Sequence, residues 1–217
     1  MGGALWLDYQ FDEGIAHLKT GLDLSVLSNN VAGISVSKAA LTGLYDGQGK
    51  LDLAFQMSTE ALESATESGE IIALQFAYTS QGISFYYKGY FHEAEKYFLE
   101  GVSLYEKTSQ MVWGVIAAGF LGMIYGDMNE YGKAEVYHKK CISIVEDAKF
   151  LPSFHNVHKL FLAKIKILNH ESDIDLYDLN TLIASHGKNR LAVCESFGTR
   201  CIAEIYMNID DQHMAEA

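Results

Sequence analysis

The sequence predicts an all-α protein built from repeated antiparallel helix pairs. Two observations lead to this prediction: one proline, Pro152, in 217 residues, and a self-similarity with a period of 40. Because proline breaks helix interiors, its scarcity favours long uninterrupted helices. The composition is 49% hydrophobic and 20% charged, which supplies a packed interior and is unlike a disordered segment.

Three segments align at this period without a gap, and they begin at Leu41, Gln81 and Leu121. Four columns keep one chemical character. The small residues are Thr42, Gly82 and Gly122, the aromatics Tyr45, Phe85 and Tyr125, the turn formers Gly49, Gly89 and Asn129, and the alanines Ala54, Ala94 and Ala134. Small residues let helices approach closely, and the turn formers tolerate a left-handed backbone. Each unit is therefore predicted to be a helix, a tight turn and an antiparallel helix.

The repeat resembles the tetratricopeptide repeat in the order and spacing of these residues. The best copy matches with Gly82, Phe85, Gly89, Phe91, Ala94 and Phe98, and the next with Gly122, Tyr125, Tyr131 and Ala134. The period of 40 exceeds the family's usual value of about 34, so longer helices are expected. Such elongated copies are similar to those of large bacterial regulatory proteins. The resemblance implies a right-handed superhelical array, a tetratricopeptide-like α-solenoid.

The repeat predicts one domain over residues 5–217. Its units are expected at 5–29, 31–68, 71–108, 111–148, 153–187 and 190–217, of which the first and last are incomplete. Arrays need polar caps at their ends, and half units lack them. The chain is therefore predicted to be a piece of a longer protein, and this piece is predicted to form homo-oligomers through the ends of its array.

Charge and motifs argue against several classes of function. The net charge of −12 disfavours nucleic acid and anionic membrane surfaces as partners, and no apolar run is long enough to span a membrane. Three cysteines without CxxC spacing, and no leader, predict a cytoplasmic protein with reduced thiols. No phosphate-binding loop, nucleophile elbow or dinucleotide motif occurs. Neither catalysis nor a cofactor is expected.

Two pairs of potential metal ligands each share a helix face. His155 and His158 are three residues apart, as are His138 and Cys141. Neither pair has a third ligand at a matching spacing, and Cys141 already belongs to a column of small packing residues. We therefore predict no metal site and interpret the histidines as surface or interface residues.

The resemblance implies that the first helix of each unit lines a concave surface that binds another polypeptide. Projecting the register onto the sequence places an apolar strip and two lysines there: Phe76, Thr79, Ile83, Tyr86, Ile116, Met123, Lys159 and Lys166. For part of this set the alternative is packing between adjacent helices. The predicted function is a protein- or peptide-binding scaffold. The alternative is a ligand-sensing or oligomerisation segment of a larger bacterial signalling protein, such as an ATPase, a cyclase or a transcription regulator.

Overall fold

A computed structural model describes residues 10–108, 111–148, 152–170, 176–186 and 192–209. Within these ranges the chain is helical apart from short turns and contains no strand, which confirms the all-α prediction. The helices are α1 (Phe11–Leu27), α2 (Val31–Gly47), α3 (Leu51–Ser68), α4 (Ile71–Tyr87), α5 (Phe91–Thr108), α6 (Met111–Asp127), α7 (Tyr131–Ala148), α8 (Pro152–Leu168), α9 (Leu176–His186) and α10 (Ala192–Asn208). The even-numbered helices are the first helices of the repeat, and the odd-numbered ones are the second helices.

Two compact units make up the chain, Met1–Leu121 and Gly122–Ala217. In the N-terminal unit each helix from α1 to α5 packs against the next, and first helix α2 also packs against first helix α4. In the C-terminal unit α8 packs against α7, α9 and α10. Contacts between successive first helices are the pattern of stacked helix pairs. The predicted segments at 5–9 and 210–217 lie outside the described residues.

The turn after a first helix closes with a left-handed residue. Gly49, Gly89 and Asn129 have φ values of 72°, 80° and 60°. The N–H of the residue that follows each one donates to the carbonyl of the column aromatic five residues back, over N···O distances of 2.9, 3.0 and 2.7 Å. This is the hydrogen bond of a Schellman motif, which satisfies carbonyls at a helix end. The three predicted turns are confirmed.

The small-residue column makes room for a ring from the second helix of the same unit. A Cβ on Gly82 would lie 2.8 Å from the Phe98 ring, and one on Gly122 would lie 2.5 Å from the His138 ring. Where the first helix carries the larger Thr42, the second helix carries only Ser58 at the matching position. A smaller residue on the first helix is therefore accompanied by a larger one on the second helix, and the reverse.

The repeat period lengthens by one residue at the fourth helix pair. The left-handed residue after α8 is His170, with φ 54°, whereas an unbroken period from Asn129 would place it at Asn169. Helix α8 likewise begins at Pro152, one residue later than the period from α6 predicts, and α10 then begins in step with α8. Positions projected onto α8 with an unbroken period are therefore displaced by one residue.

Candidate protein-binding face

First and second helices of the N-terminal unit differ in charge. Helix α4 has no charged residue in its 17 positions, and α6 has only Asp127 at its end. Second helix α5 instead exposes Glu93, Glu100 and Glu106 together with two lysines. The uncharged surface therefore lies on first helices α4 and α6.

Apolar side chains on these uncharged helices are open to solvent. Ile72 is 46% exposed, Tyr87 38% and Val112 41%. Phe76, one turn after Ile72, is half-buried and packs on Trp113 of α6 with ring centroids 4.1 Å apart. Ile72 and Phe76 lie near the start of α4, and Tyr87 lies at its end on the same side at 100° per residue, with Thr79 and Ile83 buried between them. We define the aromatic face as the five residues Ile72, Phe76, Tyr87, Val112 and Trp113.

Several residues predicted to line a groove lie in the packed interior instead. Thr79 has no exposed surface, and its hydroxyl donates to the Gln75 carbonyl at 2.9 Å. Ile83 is 4% exposed, and Tyr86 and Ile116 are 8% exposed. Thr79 therefore cannot contact a partner, and Ile83, Tyr86 and Ile116 expose too little surface to line a groove. This corrects the prediction that these residues form an exposed apolar strip.

The neighbouring first helix explains the burial of Tyr86. Phe120 of α6 contacts the Tyr86 ring edge-on with centroids 5.3 Å apart, and Phe91 lies on another side at 5.7 Å. Phe120 in turn stacks on Phe98 at 5.2 Å. An aromatic cluster between α4, α5 and α6 thus occupies the position that the projection had assigned to the surface.

Four of the five residues of the aromatic face, Ile72, Tyr87, Val112 and Trp113, were not predicted from the sequence. A signal was present, because Ile72 and Val112 are separated by one full period and so share a repeat column. The family-derived projection began one turn later in each helix and therefore passed over this column. Of the predicted residues in this unit, Phe76 alone is half-exposed.

In the C-terminal unit the one-residue displacement changes which lysine occupies the projected column. Met123 is buried, and Lys159 and Lys166 are partly exposed. With the displacement included, the column of Met123 continues at Lys164, which is buried and donates to Glu204 of α10 at 2.8 Å. Lys159 and Lys166 therefore do not occupy the repeat position of Met123, to which Lys164 corresponds in α8.

Glu204 is the centre of a charged cluster on the first helices of this unit. Its carboxylate accepts from Lys164 and from Arg200 Nε, each at 2.8 Å, and Arg200 also lies 3.8 Å from Asp127. Burial by itself raises the pKa of Glu204, but the hydrogen bonds from Lys164 and Arg200 hold that pKa below its usual range. Opposite charges are thus matched within the cluster.

The histidines and cysteines form no metal site among the described residues. His158 faces His138, with the Nδ1 atoms 3.0 Å apart, while His155 pairs with Glu146 at 2.8 Å. Both His138 and His158 are buried, which corrects their interpretation as surface residues. Burial also raises the pKa of the thiols, to about 12 for Cys194 and Cys201, so these cysteines stay protonated and unreactive.

Comparisons with known proteins agree with this architecture. The model of the tetratricopeptide repeat family matches residues 117–147, which cover most of α6 and α7. No curated protein matches the sequence.

None of the described helices is both long enough and apolar enough to cross a membrane.

Solved structures with a similar fold include BtubC (BKLC) from P. vanneervenii, with TM-score 0.62 and 15% identity over 93% of this chain and 76% of that one. A putative kinesin light chain from Podosopora anserina, with nearly identical TPR-like repeats, gives 0.59 and 14% over 87% and 95%. A variant of that protein gives 0.60 and 16% over 86% and 93%. The chain therefore contains a tetratricopeptide repeat and folds as a tetratricopeptide-like array.

Proposed function

We propose that this protein binds a segment of another polypeptide through the aromatic face of its N-terminal unit. Repeats of this type generally mediate protein–protein interaction, and the first helices carry the surface suited to it. The observation that supports this face most directly is the exposure of Ile72, Tyr87 and Val112 on helices almost without charge. Apolar and aromatic patches of this kind mark interaction surfaces and supply most of the binding energy.

The lysines on or directly after first helices α2 and α4 are held in ion pairs, which indicates what kind of segment fits this unit. Lys38 of α2 is bound to Glu60 at 2.8 Å, and Lys88, at the end of α4, is bound to Asp52 at 2.8 Å. With these lysines already paired, the anchoring side chains of a partner would be apolar or aromatic rather than charged. An extended or helical peptide can present such side chains at regular intervals.

Selection of peptides by phage display against the purified protein tests the proposal without a known partner. A selected peptide should carry apolar anchors, and its Kd should rise at least about tenfold for Ile72→Ser or Tyr87→Ala. Leu99→Ser on second helix α5 is the matched control, because Leu99 is 39% exposed. Equal affinity for all of these variants would place the binding surface elsewhere.

A further inference from the structure

Asp46 is the one acidic side chain that is buried among the described residues. It lies in the last turn of first helix α2, where it is 7% exposed. Its closest polar contact is with Ser84 of α4, so the carboxyl sits at the contact between two successive first helices. Burial of a carboxylate is costly unless donors compensate its charge.

Few donors reach this carboxyl. The Ser84 hydroxyl donates to Oδ2 over 3.4 Å, which is at the long limit for a hydrogen bond. Oδ1 has no hydrogen-bond partner within the described part of the chain. The carbonyl end of α2 carries partial negative charge, which further disfavours an anion at this position.

The charged groups on the neighbouring helices do not neutralise Asp46. The charge of Lys88, at the end of α4, acts on Asp46, but Lys88 donates to Asp52 of α3 at 2.8 Å and lies over the Phe55 ring. Asp12 of the adjacent helix α1 is exposed and accepts from the side chain of Gln48 at 3.1 Å, so it supplies no donor to Asp46. Burial raises the pKa of Asp46 to about 7, while the Ser84 hydrogen bond and the charge of Lys88 oppose the rise.

We infer that Asp46 is a proton-dependent joint between first helices α2 and α4, packed as the neutral acid and loosened when its proton is released. The ionised form would leave a poorly solvated charge in the contact between these helices. The joint is a property of the fold and does not depend on the proposed binding function. Helix α4 carries most of the aromatic face, so a change in this contact would reach that surface directly.

The direction of the pH effect follows from the two states of the chain. An unfolded aspartate releases its proton near pH 3.8, whereas folded Asp46 keeps it to about pH 7. Between these values only the folded state holds the proton, so Asp46 lowers stability progressively as the pH rises through this window. Above the window its contribution is constant.

The direct test is a carbon-13 NMR titration of the Asp46 carboxyl in the wild-type protein, assigned through its bonded methylene group. We expect a midpoint near pH 7. A midpoint below about pH 5, close to that of an ordinary aspartate, would overturn the inference. This measurement needs neither a variant nor a binding partner, so its outcome is separate from that of the proposed function.

A stability comparison gives an independent test. Asp46→Asn keeps the shape of the side chain and cannot ionise. The Tm of this variant minus the Tm of the wild type should therefore increase by about 3 °C or more from pH 5 to pH 8. Exposed Asp23→Asn on α1 is the control and should follow the wild-type profile. A gap between Asp46→Asn and wild type that is the same at both pH values would contradict the joint.

Discussion

The ring of Phe98 fills the space that a side chain on Gly82 would need. A Cβ at Gly82 would lie 2.8 to 3.0 Å from three ring atoms, and Phe98 has no exposed surface into which it could move. The same relationship recurs one repeat later between Gly122 and His138. The two helices of each of these units are therefore held together by a ring packed against a glycine as well as by the turn between them.

Gly82→Ala should consequently destabilise the protein even though alanine is the better helix former. Overpacking of this kind costs about 1–3 kcal/mol. Gly132→Ala is the control, because a Cβ there meets nothing within 4 Å and the substitution should be neutral or slightly stabilising. Urea denaturation of both variants checks the prediction, and equal midpoints would show that the Phe98 ring adapts.

Tyr86→Ala should lower the free energy of unfolding by about 3 kcal/mol, the cost of removing a buried aromatic ring. The exposed neighbour Tyr87 offers the comparison, since Tyr87→Ala should cost no more than about 1 kcal/mol. The sequence alone had predicted Tyr86 to be the surface residue. A larger loss of unfolding free energy for Tyr87→Ala than for Tyr86→Ala would show that Tyr86 is the surface residue and Tyr87 the core residue.

The buried pair His138 and His158 should make the C-terminal unit sensitive to acid. Burial lowers the pKa of His158 to about 4, with the charge of His155 adding to the effect, and lowers that of His138 well below 6.5. The folded state therefore favours neutral rings, so stability is fully present above about pH 6.5 and declines as the pH falls toward 4. Each unit of pKa displacement corresponds to about 1.4 kcal/mol.

His138→Phe tests this assignment, because the equivalent residue one repeat earlier is Phe98. The variant removes one titrating ring and should lose less Tm than the wild type between pH 7 and pH 4. His17→Phe, at an exposed position on α1, should leave the wild-type profile unchanged. An identical acid loss in the wild type and His138→Phe would show that other groups control it.

Self-association should depend on the outer surface of α1. Leu24 is 62% exposed and Leu27 79% exposed, three residues apart on this helix. If the array associates through this end, the mass from light scattering should rise with concentration for the wild type and stay monomeric for Leu27→Glu. Val136→Glu, on α7, should behave as the wild type. A strictly monomeric wild-type protein at high concentration would contradict the prediction.

Features that depend on one residue and its own backbone could be predicted from the sequence. Gly49, Gly89 and Asn129 take the left-handed conformation because few other residues tolerate it. Exposure was harder, since Tyr86 is covered by Phe120 from the next first helix and that contact has no signal in either local sequence. Lys164 was missed because a single extra residue between α6 and α8 shifted the register.

The most direct test of the binding proposal is a methyl NMR titration of the protein with a phage-selected peptide. We predict that the methyl signals of Ile72 and Val112, on the aromatic face, shift on binding, while those of Leu53 and Leu99, on second helices, stay in place. All four side chains are exposed in the unbound protein, so each can report contact. Shifts confined to Leu53 and Leu99 would contradict the account and assign binding to the second helices.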